Sequence, residues 1–309
     1  MIAVHCVFWG DSMSSNVSRW CQHWCQHWRQ HRRQHWGNRF RGGLRPVLAL
    51  MLALTLLLWG IPVAIADTSI SSADLQQLED VSDRARDAAQ RGDFEAAEAL
   101  LSALIEQVPQ NPALWSNRGN VRVSQNKLNA ALDDYNHAIE LAPEFPDTYL
   151  NRGTAYEALG RWDEAIADYN RVLARSADDV AAYNNRGNAK AGQGDWPGAI
   201  ADYRQAIEQA PDFALARANY ALALYQVQQS SEALQEMRNL VRRYPQFADM
   251  RAALTAVLWE MGKAGEAESN WVAAAGLDGR YRNLDWVSGV RRWPPRMVQA
   301  LEKFLTLKR

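Results

Sequence analysis

Cysteine and histidine are the scarcest chemistry-bearing residues of this chain, and their placement excludes whole classes of function. The three cysteines, Cys6, Cys21 and Cys25, all precede residue 26. Five of the six histidines precede residue 36, which leaves His137 alone in the remainder. Beyond residue 25 there is therefore no thiolate nucleophile, disulfide or cysteine-ligated metal. A Ser-His-Asp arrangement would have to be built on one histidine, and nothing points to one. No glycine-rich phosphate loop is present. His137, followed by Ala138 and Ile139, reads as a surface or boundary residue. The carboxylates, among them Asp133, Asp134 and Glu157, follow a helical pattern and read as solvated faces. The expectation is no catalytic residue, no metal ligand and no small-molecule cofactor.

Long hydrophobic runs are absent with one exception. Residues 47–59 form an apolar core preceded by Arg39, Arg41 and Arg45, and Ala64-Ile65-Ala66 offers small residues where a signal peptidase reads. Residues 44–66 read as a secretory signal cleaved after Ala66. The alternative is a single membrane anchor, interrupted by Gly60 and Pro62. In both readings the arginines stay inside and the rest is exported, and the protein stays on a membrane only if the segment is uncleaved. Residues 1–43 are a low-complexity leader. Its His23, His27, His31 and His35, spaced by four, could form a metal-binding stripe with Cys21 and Cys25. Its alternating arginine and tryptophan could suit nucleic acid. The blander reading is translated tandem DNA, lost with the signal. Residues 1–66 hold seven arginines and one aspartate, so the remainder carries 27 basic and 34 acidic side chains, a net charge of −7. An acidic chain makes a poor partner for phosphate backbones, so no nucleic acid is expected.

What the sequence does hold is a period of 34 residues. Arg118-Gly119, Arg152-Gly153 and Arg186-Gly187 recur on it. So do Ala97, Ala131, Ala165, Ala199, Ala233 and Ala267. Pro109, Pro143, Pro211 and Pro245 keep it too, with Ala177 in the gap. Two small residues and a closing proline at fixed points mark stacked helical hairpins. Each hairpin is too small to bury its own apolar face and needs its neighbours. The glycine lies where the two helices of a unit pack closely, and the proline marks the boundary. Leu159-Gly160-Arg161 and Gln193-Gly194-Asp195 read as the turns between paired helices.

These residues resemble the tetratricopeptide repeat. Trp115 or Tyr149 opens the first helix, Gly119 or Gly153 follows, and Ala131 or Ala165, Tyr135 or Tyr169 and Pro143 complete the set. Tyr183, Gly187, Ala199, Tyr203, Ala206 and Pro211 repeat it. The resemblance implies an all-α, right-handed superhelical solenoid of about six hairpins over 79–282. The units lie near 79–112, 113–146, 147–180, 181–214, 215–248 and 249–282, after a short linker at 67–78. It also implies a concave groove, lined by the first helices, that receives a partner protein or peptide. The segment 283–309, with Trp286, Trp293, Pro294-Pro295 and the helically spaced Met297, Leu301, Phe304 and Leu305, reads as a turn and one amphipathic capping helix. A docking element is the alternative. The stretch from Trp271, with Leu277-Asp278-Gly279-Arg280-Tyr281 and Arg291-Arg292-Trp293-Pro294-Pro295-Arg296-Met297, is similar to the tail of exported tetratricopeptide proteins of cyanobacteria and thylakoid lumens. That likeness implies a lumenal or periplasmic place and work on photosynthetic complexes.

One set of residues stands apart from the core pattern. Asn117, Asn151, Asn185 and Asn219 recur at the period, and Asn120 and Asn188 share a helix face with the asparagine three residues earlier. Asparagine is a poor helix former, so four in register carry a local cost. Its amide donates and accepts at once, as an extended peptide backbone requires. The expectation is a ladder of six asparagines facing the groove; the alternative is inheritance by repeat duplication. Arg118, Arg152 and Arg186 each have an aspartate 16 residues later, Asp134, Asp168 and Asp202, and are expected to pair with it inside the unit. Two functions of different class follow: a binding scaffold, or an enzyme with a site on the solenoid or cap.

Overall fold

Each period of the sequence folds as two helices joined by a tight turn. The computed structural model describes residues 72–307. The leader, the signal segment, the cleavage point and the histidine–cysteine tract lie outside the described residues. Among those described there are 13 α-helices and no strand.

The chain divides into two compact units at Pro109/Gln110. In the first, α1 (Ser72–Gln90) and α2 (Phe94–Gln107) form one hairpin. Helix α1 starts inside the stretch read as a linker, because nothing between residues 72 and 90 breaks a helix. The second unit carries five hairpins: α3 (Pro112–Ser124) with α4 (Leu128–Leu141), α5 (Pro146–Ala158) with α6 (Trp162–Leu173), α7 (Val180–Gly192) with α8 (Trp196–Gln209), α9 (Ala214–Gln226) with α10 (Ser230–Arg243), and α11 (Ala248–Glu260) with α12 (Ala264–Leu277). Consecutive helices pack on one another along this unit, which is therefore an all-α solenoid of helical hairpins. A 3₁₀ turn (Gly279–Arg282), a π turn (Trp286–Val290) and α13 (Pro295–Leu307) follow.

The turn inside each hairpin needs a left-handed residue. Gly160 has φ +73° and Gly194 +84°. Gly160 N–H donates to Glu157 O and Arg161 N–H to Tyr156 O, which satisfies the last carbonyls of α5. The same position is left-handed in all six hairpins, with Gly92 and Gly262 but also Asn126 and Gln228.

The period's small residues sit where the helices touch. A Cβ on Gly119, Gly153 or Gly187 would lie 2.6 Å from the ring of Tyr135, Tyr169 or Tyr203 on the second helix of the same hairpin. Ala131, Ala165, Ala199, Ala233 and Ala267 are fully buried. The prolines at 109, 143, 211 and 245 all fall in the loops between hairpins.

Candidate functional site

The polar residues of the repeat separate into two groups, one holding hairpins together and one left unengaged. Asp134, Asp168 and Asp202 lie on the buried face of the second helices, 1–3% exposed. Each is held from the first helix by a two-point arginine fork. Arg118 donates at 3.0 and 2.7 Å, Arg152 at 2.7 and 2.7 Å, and Arg186 at 2.8 and 2.6 Å. Two of the forks also reach the preceding hairpin: Arg152 donates to Asn136 Oδ1 at 2.7 Å and Arg186 to Asn170 Oδ1 at 2.6 Å. The expected pairs within a unit are present, and Arg152 and Arg186 bind one hairpin to the next as well. Asp134 is no solvated face, because Arg118 and Arg122 both close on it. Its neighbour Asp133 is exposed, as expected.

Glu157 departs further from its expected exposure. It ends a helix, yet is 3% exposed, and the Tyr169 hydroxyl donates to its Oε2 at 3.3 Å. Burial first, then the Glu157 charge, push the hydroxyls of Tyr169 and Tyr203 well above the usual tyrosine range. The His137 ring lies against that of Trp115 at a tilt of 51°, centroids 4.1 Å apart, with Glu140 at 3.7 Å.

The six asparagines do not behave alike. Asn120 Oδ1 accepts from the Tyr135 hydroxyl at 2.7 Å, and Asn188 Oδ1 from the Tyr203 hydroxyl at 3.0 Å. Asn219 Nδ2 spans two hairpins, donating to Asn184 Oδ1 at 3.0 Å and to Asn188 Oδ1 at 3.1 Å. Asn184 Nδ2 donates in turn to Asn185 Oδ1 at 3.1 Å. Asn185 is 6% exposed, so it faces the packed interior and not an open groove. The physical reason is the Asn184-Asn185 doublet: Asn184 donates to the Asn185 carbonyl and accepts from Asn219, which makes the burial of these amides tolerable. Only Asn117, exposed, and Asn151, half-buried, have no side-chain hydrogen bond among the described residues. The structure thus brings Asn185, Asn188 and Asn219 into one network on α7 and α9, ties Asn120 to its own hairpin, and leaves Asn117 and Asn151 one period apart on α3 and α5.

The last two hairpins differ from the others in what covers their first helices. Helix α13 packs on α11 and α9, the first helices of the last two hairpins. Met297, Ala300, Leu301 and Phe304 are completely buried there. Asp249, in the first turn of α11 and 4% exposed, accepts from the Tyr281 hydroxyl at 2.6 Å, from Trp293 Nε1 at 3.0 Å and from Arg291 at 3.1 Å. The amphipathic spacing made α13 legible as a helix; its seat across α9 and α11 was not legible, because it depends on a single buried aspartate with no repeat counterpart save Asp147.

Sequence comparison agrees with this geometry. Models of the tetratricopeptide repeat match residues 119–160, 150–212 and 184–246. Over residues 119–246 the hairpins match the tetratricopeptide repeat. No curated protein matches the chain. Among solved structures, a tetratricopeptide repeat protein of Parabacteroides merdae is 20% identical, over 75% of this chain and 98% of its own, with a TM-score of 0.58. A thermophilic tetratricopeptide protein of Thermus thermophilus is 19% identical, over 59% and 99%, with a TM-score of 0.50. YrrB, described as having an unusual peptide-binding site, is 19% identical over 58% and 92%, with a TM-score of 0.47. At these identities the likeness is one of fold.

Proposed function

We propose that this tetratricopeptide protein is an exported interaction scaffold that receives an extended stretch of a partner polypeptide along α3, α5 and α7. The observation that carries the reading is the pair Asn117 and Asn151. Two amides one repeat apart on successive first helices have no side-chain hydrogen bond among the described residues, while Asn120, Asn185, Asn188 and Asn219 are consumed by the fold. An amide that the fold does not use, on a helix that would be more stable with alanine, needs another reason to be there. A polypeptide backbone supplies it, since both its N–H and C=O groups match an amide. The partner does not run on over α9 and α11, because α13 already covers them. Helices about 8–10 Å apart give three first helices a span that about six to nine extended residues would cross.

Export rests on the apolar segment 47–59 and the Ala64-Ile65-Ala66 site, and a role in assembling or maintaining photosynthetic membrane complexes rests on the similarity of the C-terminal segment alone. A photoreactive amino acid placed at Asn151 in the living cell tests the groove: it should crosslink to one discrete partner, and the same group at exposed Ala201 on α8 should not. N-terminal sequencing of the exported form should start near Asp67; a retained apolar segment would make the protein membrane-anchored instead.

A further inference from the structure

The C-terminal segment is held at two places by contacts of very different kind. One is α13 and the Asp249 cluster, buried and closely paired. The other is a single side chain, Arg292, which reaches back to the end of α5. Its guanidinium donates to Glu157 O at 3.2 Å and to Ala158 O at 3.5 Å. It lies 3.8 Å from the Glu157 carboxylate and 5.3 Å from the centre of the Trp162 ring. Four residues on, Arg296 donates to Tyr225 O on α9 at 2.7 Å. The chain from 292 to 296 therefore runs from the third hairpin to the fifth.

Three features of the surface under Arg292 suit a cation independently of Arg292 itself. Helix α5 ends there, and the C-terminal end of a helix carries partial negative charge; Glu157 O already accepts from Gly160 N–H and has a second lone pair for a cation. Glu157 adds a buried carboxylate whose neighbour, the Tyr169 hydroxyl, cannot neutralise it. Trp162 offers an indole face, the aromatic surface that binds cations best. Arg292 fills this place poorly. Its closest approach to the carboxylate is at the outer limit of an ion pair, 32% of its side chain stays exposed, and its backbone is left-handed, φ +53°, which strains a non-glycine residue.

We propose that Glu157, the last carbonyls of α5 and Trp162 form a cation subsite for an arginine or lysine of the partner polypeptide, which Arg292 occupies when no partner is bound. The partner's basic residue displaces the Arg292 side chain, which swings into solvent, while Arg291 and Trp293 stay on Asp249 and α13 stays seated. A basic partner also fits the net charge of −7 beyond residue 66. This subsite rests on the scaffold reading and deepens it, and it fixes one chemical property of the partner.

The test uses the chain from Asp67 to Arg309 with Arg292→Gly, which removes the side chain and suits the left-handed backbone. The probe is a six-residue acetylated Gly/Ser peptide with one central arginine, against the same peptide with alanine. Arg292→Gly should bind the arginine peptide at least tenfold more tightly than the unsubstituted chain does, and Glu157→Gln in the same background should abolish the gain. Hydrogen exchange should rise at residues 157–161 and stay unchanged in α13. Equal affinity for the two peptides, or equal binding by Arg292→Gly and the parent, overturns the subsite. Faster exchange throughout α13 also overturns it, since Arg292 would then be a staple of the cap. If the arginine peptide binds as expected and substituting Asn117 and Asn151 changes nothing, the subsite stands and the asparagine pair fails.

Discussion

The single residues that decide this fold are those facing a geometric demand that only small or left-handed residues meet. Gly153 is one: the Tyr169 ring stands where its Cβ would be. The left-handed turn position is another, and here the sequence speaks only in part. Gly160 and Gly194 announce their turns and Asn126 is compatible with one, but Gln228 holds the same conformation without a residue type that signals it. Gln228 carries the larger strain, because asparagine tolerates the left-handed region better than glutamine. A left-handed residue with a Cβ costs about 1–2 kcal/mol, and glycine gives back about 0.5–1 kcal/mol through the unfolded chain. Gln228→Gly should therefore stabilise the protein by about 0.5–1 kcal/mol and raise Tm by about 1–4 °C in a calorimetric scan. An unchanged or lower Tm would show that the turn between α9 and α10 is set by its neighbours rather than by this residue. The asparagines were legible as a period and illegible as a role. Spacing cannot tell Asn151, unengaged, from Asn185, buried against Asn184.

At the scale of helices, the forks from Arg118, Arg152 and Arg186 do two jobs. Each closes its own hairpin, and the two central forks also reach the preceding one through Asn136 and Asn170. The offset of 16 residues showed the first job, since it joins the two helices of a unit. The second was hidden, because Asn136 and Asn170 lie 16 residues before the arginines on an unremarkable second helix. Asp168 is 2% exposed, so removing its partner strands a buried charge. Arg152→Met should destabilise by up to about 3–5 kcal/mol, while Arg152→Met with Asp168→Leu should recover most of that loss. Burial of the aspartate favours the large value, and the residual exposure of the arginine, 16% of its side chain, favours the smaller. Denaturant unfolding of the three proteins separates the outcomes. A single mutant as stable as the parent would mean that water enters the hairpin and solvates Asp168.

At the scale of the whole molecule, the period specified hairpins and their order, and it was silent on what closes the stack. The reason is physical: a repeat pattern reports contacts made many times over, whereas α13 is seated by Asp249 and Arg296, and Arg292 reaches α5, through contacts made once. The consequence for the proposed function is that the chain itself covers the first helices of the last two hairpins, whereas α3 and α5 keep two unengaged amides. Asn117→Ala with Asn151→Ala tests that division. Alanine is the better helix former, so the double mutant should be at least as stable as the parent. Each amide contributes one net hydrogen bond to a polypeptide backbone, worth about 0.5–1.5 kcal/mol. Binding to the partner crosslinked at Asn151 should weaken from several-fold to about a hundred-fold, read by titration calorimetry. Asn219→Ala is the contrasting case. It cuts two hydrogen bonds between α7 and α9, so it should lower Tm and leave the partner affinity of the folded protein within about twofold. Full binding by the stable double mutant would remove the amide pair from the interface. A loss of stability in place of binding would give Asn117 and Asn151 the same structural duty that Asn185 and Asn219 already perform.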